Sequence, residues 1–358
     1  MREYNVAILG ATGAVGMRMV RQLEDSTVPV KNLKLLASSR SAGTKIEFKG
    51  EEIEVEETTP DSFEGVDIVL ASAGGGTSKK FLPEAVKRGA VCIDNTSAYR
   101  MDPDVPLVVP EVNVDQLANH RGIIANPNCS TIQMVVALQP VFEKFGLNQI
   151  VVSTYQAASG AGQSALNEFY GQAQDYLDGK EMSADILPTK GDKKHYPLAF
   201  NLLPQIDVFE EDGSTHEEWK MVHETKKIML NDMDATDIKV NATCVRVPVA
   251  VSHGESVYFE VEDKSATKED IQRVIDQFDG AVLQDNPDHQ VYPQPITAEG
   301  KRSTFVGRIR ADQENPGCFN MWVVADNLLK GAAWNTVQNA EELVKRDLVR
   351  VPEDYYRG

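Results

Sequence analysis

The segment Gly10-Ala11-Thr12-Gly13-Ala14-Val15-Gly16 constrains this chain more than any other. It follows an apolar run from Tyr4 to Leu9 and leads into Met17-Arg18-Met19-Val20-Arg21-Gln22-Leu23, whose apolar positions have helical spacing. Strand, glycine turn and helix, in that order, predict the opening of a βαβ unit. Glycines allow the tight turn and keep the N–H groups of the helix N-terminus accessible, so a pyrophosphate can be held by those donors and the helix dipole. The first glycine spacing is one residue wider than in the dinucleotide fingerprint G-x-G-x-x-G, which leaves open a tight βα turn that binds nothing.

The theme repeats through the next hundred residues. Leu33–Ala37, Val66–Ala71 and Ala90–Asp94 are short apolar runs separated by turns or helical segments, the pattern of a parallel, doubly wound sheet with helices on both faces. Where an NAD-preferring site carries Asp or Glu after the second strand, this chain has Ser38-Ser39-Arg40-Ser41. Hydroxyls and a guanidinium suit a 2′-phosphate, so NADP is favoured over NAD, with a solvated turn arginine as the competing reading of Arg40.

The texture then changes. A helix from Cys129 is expected to end near Phe145-Gly146, and after it come β-branched runs at Ile150–Tyr155, Val240–Val251, Ser256–Val261, Thr304–Arg310 and Cys318–Ala325. They predict a second domain built on a large mixed or antiparallel sheet. Helices are expected at Ser164–Leu177, Glu217–Met229 and Lys268–Gln277, a polar loop over Gly179–Asp207, and a closing helix over Leu328–Val344 that packs back on the first domain.

A length of 358 residues suits two domains, each with its own core. A net charge of −18 argues against nucleic acid, so any anion site must be built locally from a few cations. Cys92, Cys129, Cys244 and Cys318 lack a C-x-x-C pair and read as reduced thiols, neither disulfides nor metal ligands. The opening Met1-Arg2-Glu3-Tyr4 leaves no room for a signal peptide and no run reaches membrane-spanning length, so a soluble cytoplasmic protein is expected.

Asn126-Pro127-Asn128-Cys129-Ser130-Thr131 sets a thiol at the start of an apolar helix. Free N–H groups and the dipole there favour a thiolate and can hold an oxyanion after attack on a carbonyl. A small buried apolar residue is the alternative for Cys129. With a nicotinamide cofactor, the matching reaction is aldehyde oxidation through a thiohemiacetal and a thioester, which needs a base near sulfur. The candidates are His120, His195, His216, His223, His253 and His289. His253 stands out because Arg246 precedes it on the same apolar stretch, yet residues seven apart fall on opposite strand faces. A bend at Pro248 or at Gly254 must therefore re-aim the imidazole; otherwise His253 is an ordinary turn residue.

Seven blocks together resemble the aspartate-β-semialdehyde dehydrogenases of the bacterial type: Gly10 to Gly16, Asp94-Asn95-Thr96-Ser97, Asn126 to Thr131, Tyr155-Gln156-Ala157-Ala158-Ser159-Gly160-Ala161-Gly162, Glu217-Glu218-Trp219-Lys220, Arg246 with His253, and Asp326-Asn327-Leu328-Leu329-Lys330-Gly331-Ala332-Ala333. The resemblance implies an α/β protein, with a Rossmann-like doubly wound parallel-sheet NADP-binding domain over residues 1–128 plus 328–358. Residues 129–327 would form an α+β catalytic and dimerisation domain with a large mixed sheet. It implies Cys129 as nucleophile, His253 as acid/base, Gln156 as the substrate-orienting residue and the amide of Asn128 as an oxyanion donor. Arg246 would clamp the substrate α-carboxylate and Glu217 its ammonium group, and Arg100, Lys220 and Asn95 would hold phosphate. Cofactor contacts are implied at Gly10, Thr12, Gly13, Ala14, Val15, Gly16, Ser38, Ser39, Arg40, Ser41, Ser72, Ala73, Gly74, Ser159, Gly160 and Asn327, with no metal. The implied reaction is the NADPH-dependent conversion of β-aspartyl phosphate to aspartate semialdehyde and phosphate, by a homodimer. An N-acetyl-glutamyl-phosphate reductase shares this logic, but Glu217 suits a free ammonium better than an acetamide, and Asn-Cys-Ser differs from that group's Gly-Cys-aromatic pattern. A non-catalytic dinucleotide-binding homologue would not need the set Cys129, Gln156, Arg246 and His253.

Overall fold

A computed structural model describes residues 2–352. The chain divides into two compact units, Met1–Pro127 with Ala332–Gly358, and Asn128–Gly331. The last six residues of the expected 328–358 segment lie outside the described residues.

In the first unit β1 (Tyr4–Leu9) runs into α1 (Ala14–Glu24), followed by β2 (Val30–Ala37), β3 (Lys45–Phe48), β4 (Glu51–Glu57) and β5 (Ile68–Ala71). Then come α2 (Gly75–Lys87), β6 (Val91–Asp94), the short α3 (Pro110–Asn113) and β7 (Ile123–Ala125). Among the described residues these strands form one sheet in the order β3-β4-β2-β1-β5-β6-β7, parallel except for β3. The apolar runs at β1, β5 and β6 are buried on both faces, as a sheet covered by helices on both sides requires. The β3–β4 hairpin was not expected from the sequence. Its glutamates point to solvent and only Ile46, Phe48 and Val55 are buried, so the edge carries little apolar signal.

The second unit opens with α4 (Cys129–Phe145), then β8 (Gln149–Gln156), α5 (Gln163–Leu177), α6 (His216–Leu230), β9 (Lys239–Arg246) and β10 (His253–Glu260). It continues through α7 (Lys268–Asp276), β11 (Ala281–Leu283), α8 (Pro295–Ala298), β12 (Thr304–Ala311) and β13 (Cys318–Ala325). Among the described residues its sheet has the order β11-β12-β13-β10-β8-β9, with β8–β9 and β11–β12 parallel and the other pairs antiparallel. The expected Val240–Val251 strand is cut short: β9 ends at Arg246, the chain crosses over the end of β8, and β10 begins at His253. The core lies between α4 and this sheet, where Met134, Ala137, Leu138 and Val141 pack with Val152, Val257, Phe259 and Val323. Helix α4 is buried nearly all round, which explains a run of apolar residues too continuous for a surface helix. A π-helical turn at Leu329–Ala333 leads into α9 (Trp334–Lys345), which packs on α1, β5 and β6 of the first unit.

Candidate active site

Cys129 is the first residue of α4 and Asn128 is its N-cap: Asn128 Oδ1 accepts from the N–H groups of Ser130 at 2.9 Å and Thr131 at 3.4 Å. Such a cap is worth about 1 kcal/mol of helix stability. Asn128 is itself tied to α6, its Nδ2 donating to Glu217 Oε1 at 2.9 Å and its backbone N–H to Glu224 Oε2 at 2.6 Å. Two carboxylates seven residues apart on one helix thus fix the residue before the thiol. Gly331 closes the site from the other side, because a Cβ there would stand 2.6 Å from Cys129 Cβ. On the expectation that Cys129 is the nucleophile, Gly331→Ala, which must displace it, should lower turnover by at least roughly tenfold, since misplacement of reacting groups by about 1 Å costs roughly 10²-fold. Steady-state rate and the rate of Cys129 alkylation are both expected to drop; wild-type values in either would contradict the packing.

The C-terminal end of β8 gathers the other groups. Gln156 pairs with Arg246 of β9, and Tyr155 pairs with Gly254 of β10, so Arg246, Gln156 and His253 form one row across three adjacent strands. The bend sought at Pro248 or Gly254 is instead the whole crossover. Val247 donates to Gln156 O, Ala158 and Ser159 donate to the carbonyls of Val249 and Ala250, and Ser252 holds a left-handed φ of 75°. Asn327 Oδ1 accepts from Ser252 N–H at 2.9 Å and locks that conformation, one residue before His253. Gly254 lies inside β10 rather than at a turn.

This re-aims the imidazole onto the thiol: His253 Nε2 is 3.2 Å from Cys129 Sγ. Its other nitrogen, Nδ1, accepts the Ala157 N–H at 3.0 Å. A neutral ring that accepts at Nδ1 carries its proton on Nε2, so the hydrogen bond runs from Nε2–H to sulfur. Protonating Nδ1 would set two donors against each other. Burial and then the Arg246 charge also oppose an imidazolium, lowering the His253 pKa to about 3 against the pull of Glu217.

Beside this pair lies a buried charge cluster. Glu217 and Arg246 are each 5% exposed, and Lys220 has 12% of its side chain exposed, so Glu217 and Lys220 are not the ordinary surface pair that i, i+3 spacing allows. Glu217 Oε1 accepts from Gln156 Nε2 and Asn128 Nδ2, both at 2.9 Å, and Oε2 faces Lys220 Nζ at 3.1 Å. Lys220 also reaches Asp207 Oδ2 at 2.8 Å, and Arg246 Nη1 donates to Ala157 O at 2.8 Å. Gln156 Nε2 further contacts Ser130 Oγ. Burial alone would raise the Glu217 pKa, but Lys220, the two amide donors and Arg246 outweigh it and hold the carboxylate at about 2. Glu217 is therefore ionised, and with Arg246 it offers a carboxylate and a guanidinium to a zwitterionic ligand. Asp207, Glu224, Ala157 and Gly331 were not among the sequence candidates. Ala157 and Gly331 lie inside the resemblance blocks without an assigned role, and Asp207 and Glu224 lie outside them.

Other candidates fall in the first unit. The loops after three neighbouring strands meet there: Gly10–Gly16 after β1, Ser38–Ser41 after β2 and Ser72–Gly74 after β5. Gly10 has φ +88° and its Cβ would lie 2.4 Å from Ser72 O; a Cβ on Gly16 would lie 2.0 Å from Gly10 O. Gly13 and Gly74 are the N-caps of α1 and α2, and neither helix has an acidic residue in its first turn. Thr12, Gly13, Ser38, Ser39 and Arg40 are exposed, while Ala14, Val15, Ser41, Ser72 and Ala73 are half-buried. Bare helix N-termini beside exposed hydroxyls and a guanidinium fit a phosphorylated dinucleotide. Asn95 and Arg100 also belong to this unit, joined by Arg100 Nη2 to Asn95 O at 2.9 Å, with Asn126 Nδ2 on Asn95 Oδ1 at 2.7 Å. The expected phosphate residues are therefore split, with Lys220 in the second unit. Ser159, Gly160 and Asn327 lie in the second unit too. Ser159 Oγ bonds Asn327, which anchors Ser252, and Gly160 packs on Arg246 and His253.

Family models match both units: residues 5–120 match the NAD binding domain of semialdehyde dehydrogenases, and residues 138–330 their dimerisation domain. The aspartate-semialdehyde dehydrogenase of Bacillus subtilis (strain 168) is 56% identical over 97% of this chain and 99% of its own. The crystal structure of aspartate semialdehyde dehydrogenase II from Vibrio cholerae complexed with ASA matches with TM-score 0.89 at 45% identity, covering 96% of this chain and 99% of that one. A structure of aspartate semialdehyde dehydrogenase with NADP from Candida albicans matches with TM-score 0.73 at 26% identity, over 97% of this chain and 100% of that one. With a thiol–imidazole pair on a scaffold that such relatives match over nearly the whole length, the chain belongs to the aspartate-semialdehyde dehydrogenase family.

Proposed function

We propose that this enzyme interconverts L-β-aspartyl phosphate and L-aspartate-β-semialdehyde, with phosphate and NADP, through a thioester on Cys129. The observation that carries the reading is the 3.2 Å approach of Cys129 Sγ to His253 Nε2 at the start of α4. In the biosynthetic direction the Cys129 thiolate attacks the acyl carbon of the acyl phosphate, the C–O bond to phosphate breaks, and phosphate leaves with the electron pair. A dinucleotide would supply hydride chemistry here, and the Gly10–Gly16 loop, Ser38–Ser41 and Ser72–Gly74 would hold it, with Ser159, Gly160 and Asn327 as further contacts.

The remaining roles follow from donors and charge. His253 Nε2–H steadies the thiolate and is the proton positioned for the substrate oxygen as the tetrahedral species forms and collapses. Gln156 orients the acyl group and the side-chain amide of Asn128 helps hold the oxyanion, since its backbone N–H is taken by Glu224. Arg246 pairs with the α-carboxylate and Glu217 with the α-ammonium, which favours the free amino acid over an N-acetylated one. Arg100, Asn95 and Lys220 receive phosphate. This chemistry stands in the biosynthesis of lysine, threonine, methionine and diaminopimelate, in the cytoplasm. The test compares NADPH formation from aspartate semialdehyde and from N-acetylglutamate semialdehyde, with and without phosphate. Phosphate-dependent turnover of the first alone is expected; preference for the second would overturn the assignment.

The NADP preference rests on Arg40. Arg40→Ala should raise KM for NADP by roughly ten- to a hundredfold, the worth of one or two charge-assisted contacts, and leave KM for NAD unchanged. Equal effects on both cofactors would assign Arg40 to the turn alone.

We also propose a homodimer through the second unit. The outward face of its sheet carries Tyr155, 42% exposed and packed on Trp322, and α5 exposes Tyr170, Tyr176 and Leu177, large apolar side chains that a second copy would cover. Sedimentation at micromolar concentration should give twice the chain mass of 39.5 kDa; a monomer would refute it.

A further inference from the structure

Lys220 is shared between two carboxylates, and one of them has no part in the proposed reaction. Its Nζ lies 2.8 Å from Asp207 Oδ2 and 3.1 Å from Glu217 Oε2, so the ammonium stands at least as close to the loop carboxylate as to the buried one. Asp207 is fixed where it can do this. Leu203 exchanges two backbone hydrogen bonds with Arg246 at the end of β9, and Val208 O accepts the N–H of His216 at the start of α6, so the chain around Asp207 is anchored to both elements. Between these anchors Asp207 takes a left-handed φ of 70°, which Asp and Asn adopt more readily than other side chains. Its Oδ1 accepts the Val208 N–H at 2.9 Å, which aims Oδ2 at Lys220.

Charge then decides what each group can offer. Burial would raise the Asp207 carboxyl, but the Lys220 ammonium and the Val208 N–H bring it below the usual carboxylate range, so it is ionised at neutral pH. A single ammonium thus faces two carboxylates. Paired with Glu217 alone, Lys220 would neutralise that carboxylate; shared with Asp207, it leaves Glu217 with negative charge to offer a ligand's ammonium group. The same sharing makes Lys220 a poorer partner for an anion, because Asp207 occupies one of its N–H donors and repels the newcomer.

We infer that Asp207 is a positioning residue acting through Lys220: it draws the ammonium off Glu217, which strengthens binding of the substrate's α-ammonium and weakens binding of phosphate. The inference rests on the roles proposed above for Glu217 and Lys220, and it requires no contact between Asp207 and either substrate.

The test is Asp207→Asn, which suits the left-handed backbone and keeps an acceptor for the Val208 N–H while removing the charge. NADPH formation is followed with semialdehyde and phosphate varied in turn, in wild type and variant. The Asp207 side chain is 38% exposed, so solvent screens part of its effect. The variant should raise KM for the semialdehyde roughly two- to fivefold and lower KM for phosphate by a similar factor, with kcat within about threefold, the range of a partly exposed ion pair. Opposite shifts separate this role from a structural one, since a damaged site would raise both constants. If the wild type depends on phosphate and the variant moves both constants in one direction, or neither, the inference alone fails. If the wild type turns over without phosphate, the reading of the reaction fails and the inference falls with it.

Discussion

Cys129→Ala is expected to lower turnover of aspartate semialdehyde by at least about 10⁴-fold while the protein keeps its fold and its affinity for dinucleotide. The size of the loss follows from what the thiol does. In the proposed mechanism it forms the bond that holds the acyl group between hydride transfer and phosphate exchange, and no neighbour can substitute: His253 meets it with a proton donor, and the Gln156 amide lies against the next residue, Ser130. Cys129 is partly exposed at the N-terminus of α4, whereas Cys92, Cys244 and Cys318 are buried. Alanine fits the start of a helix, and Asn128 continues to cap Ser130 and Thr131. Unchanged circular dichroism with vanishing kcat is the expected pair of results; activity within tenfold of wild type would exclude the covalent route.

Arg246→Leu is expected to cost roughly 10²–10⁴ in kcat/KM for the semialdehyde, the equivalent of about 3–5 kcal/mol for removing one partner of a buried charge pair. Arg246 is fixed at the end of β9 by backbone pairing with Leu203 on one side and Gln156 on the other, and its Nη1 holds Ala157 O. Ala157 in turn sets the tautomer of His253, so the substitution removes the proposed carboxylate clamp and loosens the ring that faces the thiol. Both kcat and KM should suffer. Arg246→Lys should recover only part of the loss, because an ammonium cannot reproduce the planar two-point contact. A variant that changes KM alone would confine Arg246 to ground-state binding.

Much of the scaffold was legible because local chemistry marks its edges. The glycine turn opens α1, Pro127 and Asn128 open α4, and Gly146 closes it, each a residue whose backbone preference agrees with the fold around it. The edge hairpin β3–β4 escaped because a strand that turns its glutamates to water lacks a continuous apolar run. The end of β9 was misjudged for the opposite reason: Val247-Pro248-Val249-Ala250-Val251 is as apolar as a strand but serves as the crossover above β8. Site residues were legible as types and blocks, not as geometry. Nothing in the spacing of Arg246 and His253 indicates that β8 runs between their strands, and Asp207, Glu224 and Gly331 enter only through tertiary contact. The proton on His253 is a tertiary fact too, since it is set by a backbone N–H that the sequence does not distinguish from any other.

The most direct test of the covalent account is a phosphate-free single turnover. Enzyme mixed with aspartate semialdehyde and NADP, with phosphate removed, should release about one NADPH per Cys129 in a burst and then stall. Mass spectrometry of the quenched protein should find the acyl group on the peptide containing Cys129, and addition of phosphate should restart turnover. Continuous NADPH formation without phosphate, or a Cys129 peptide of unmodified mass after the burst, would contradict the account.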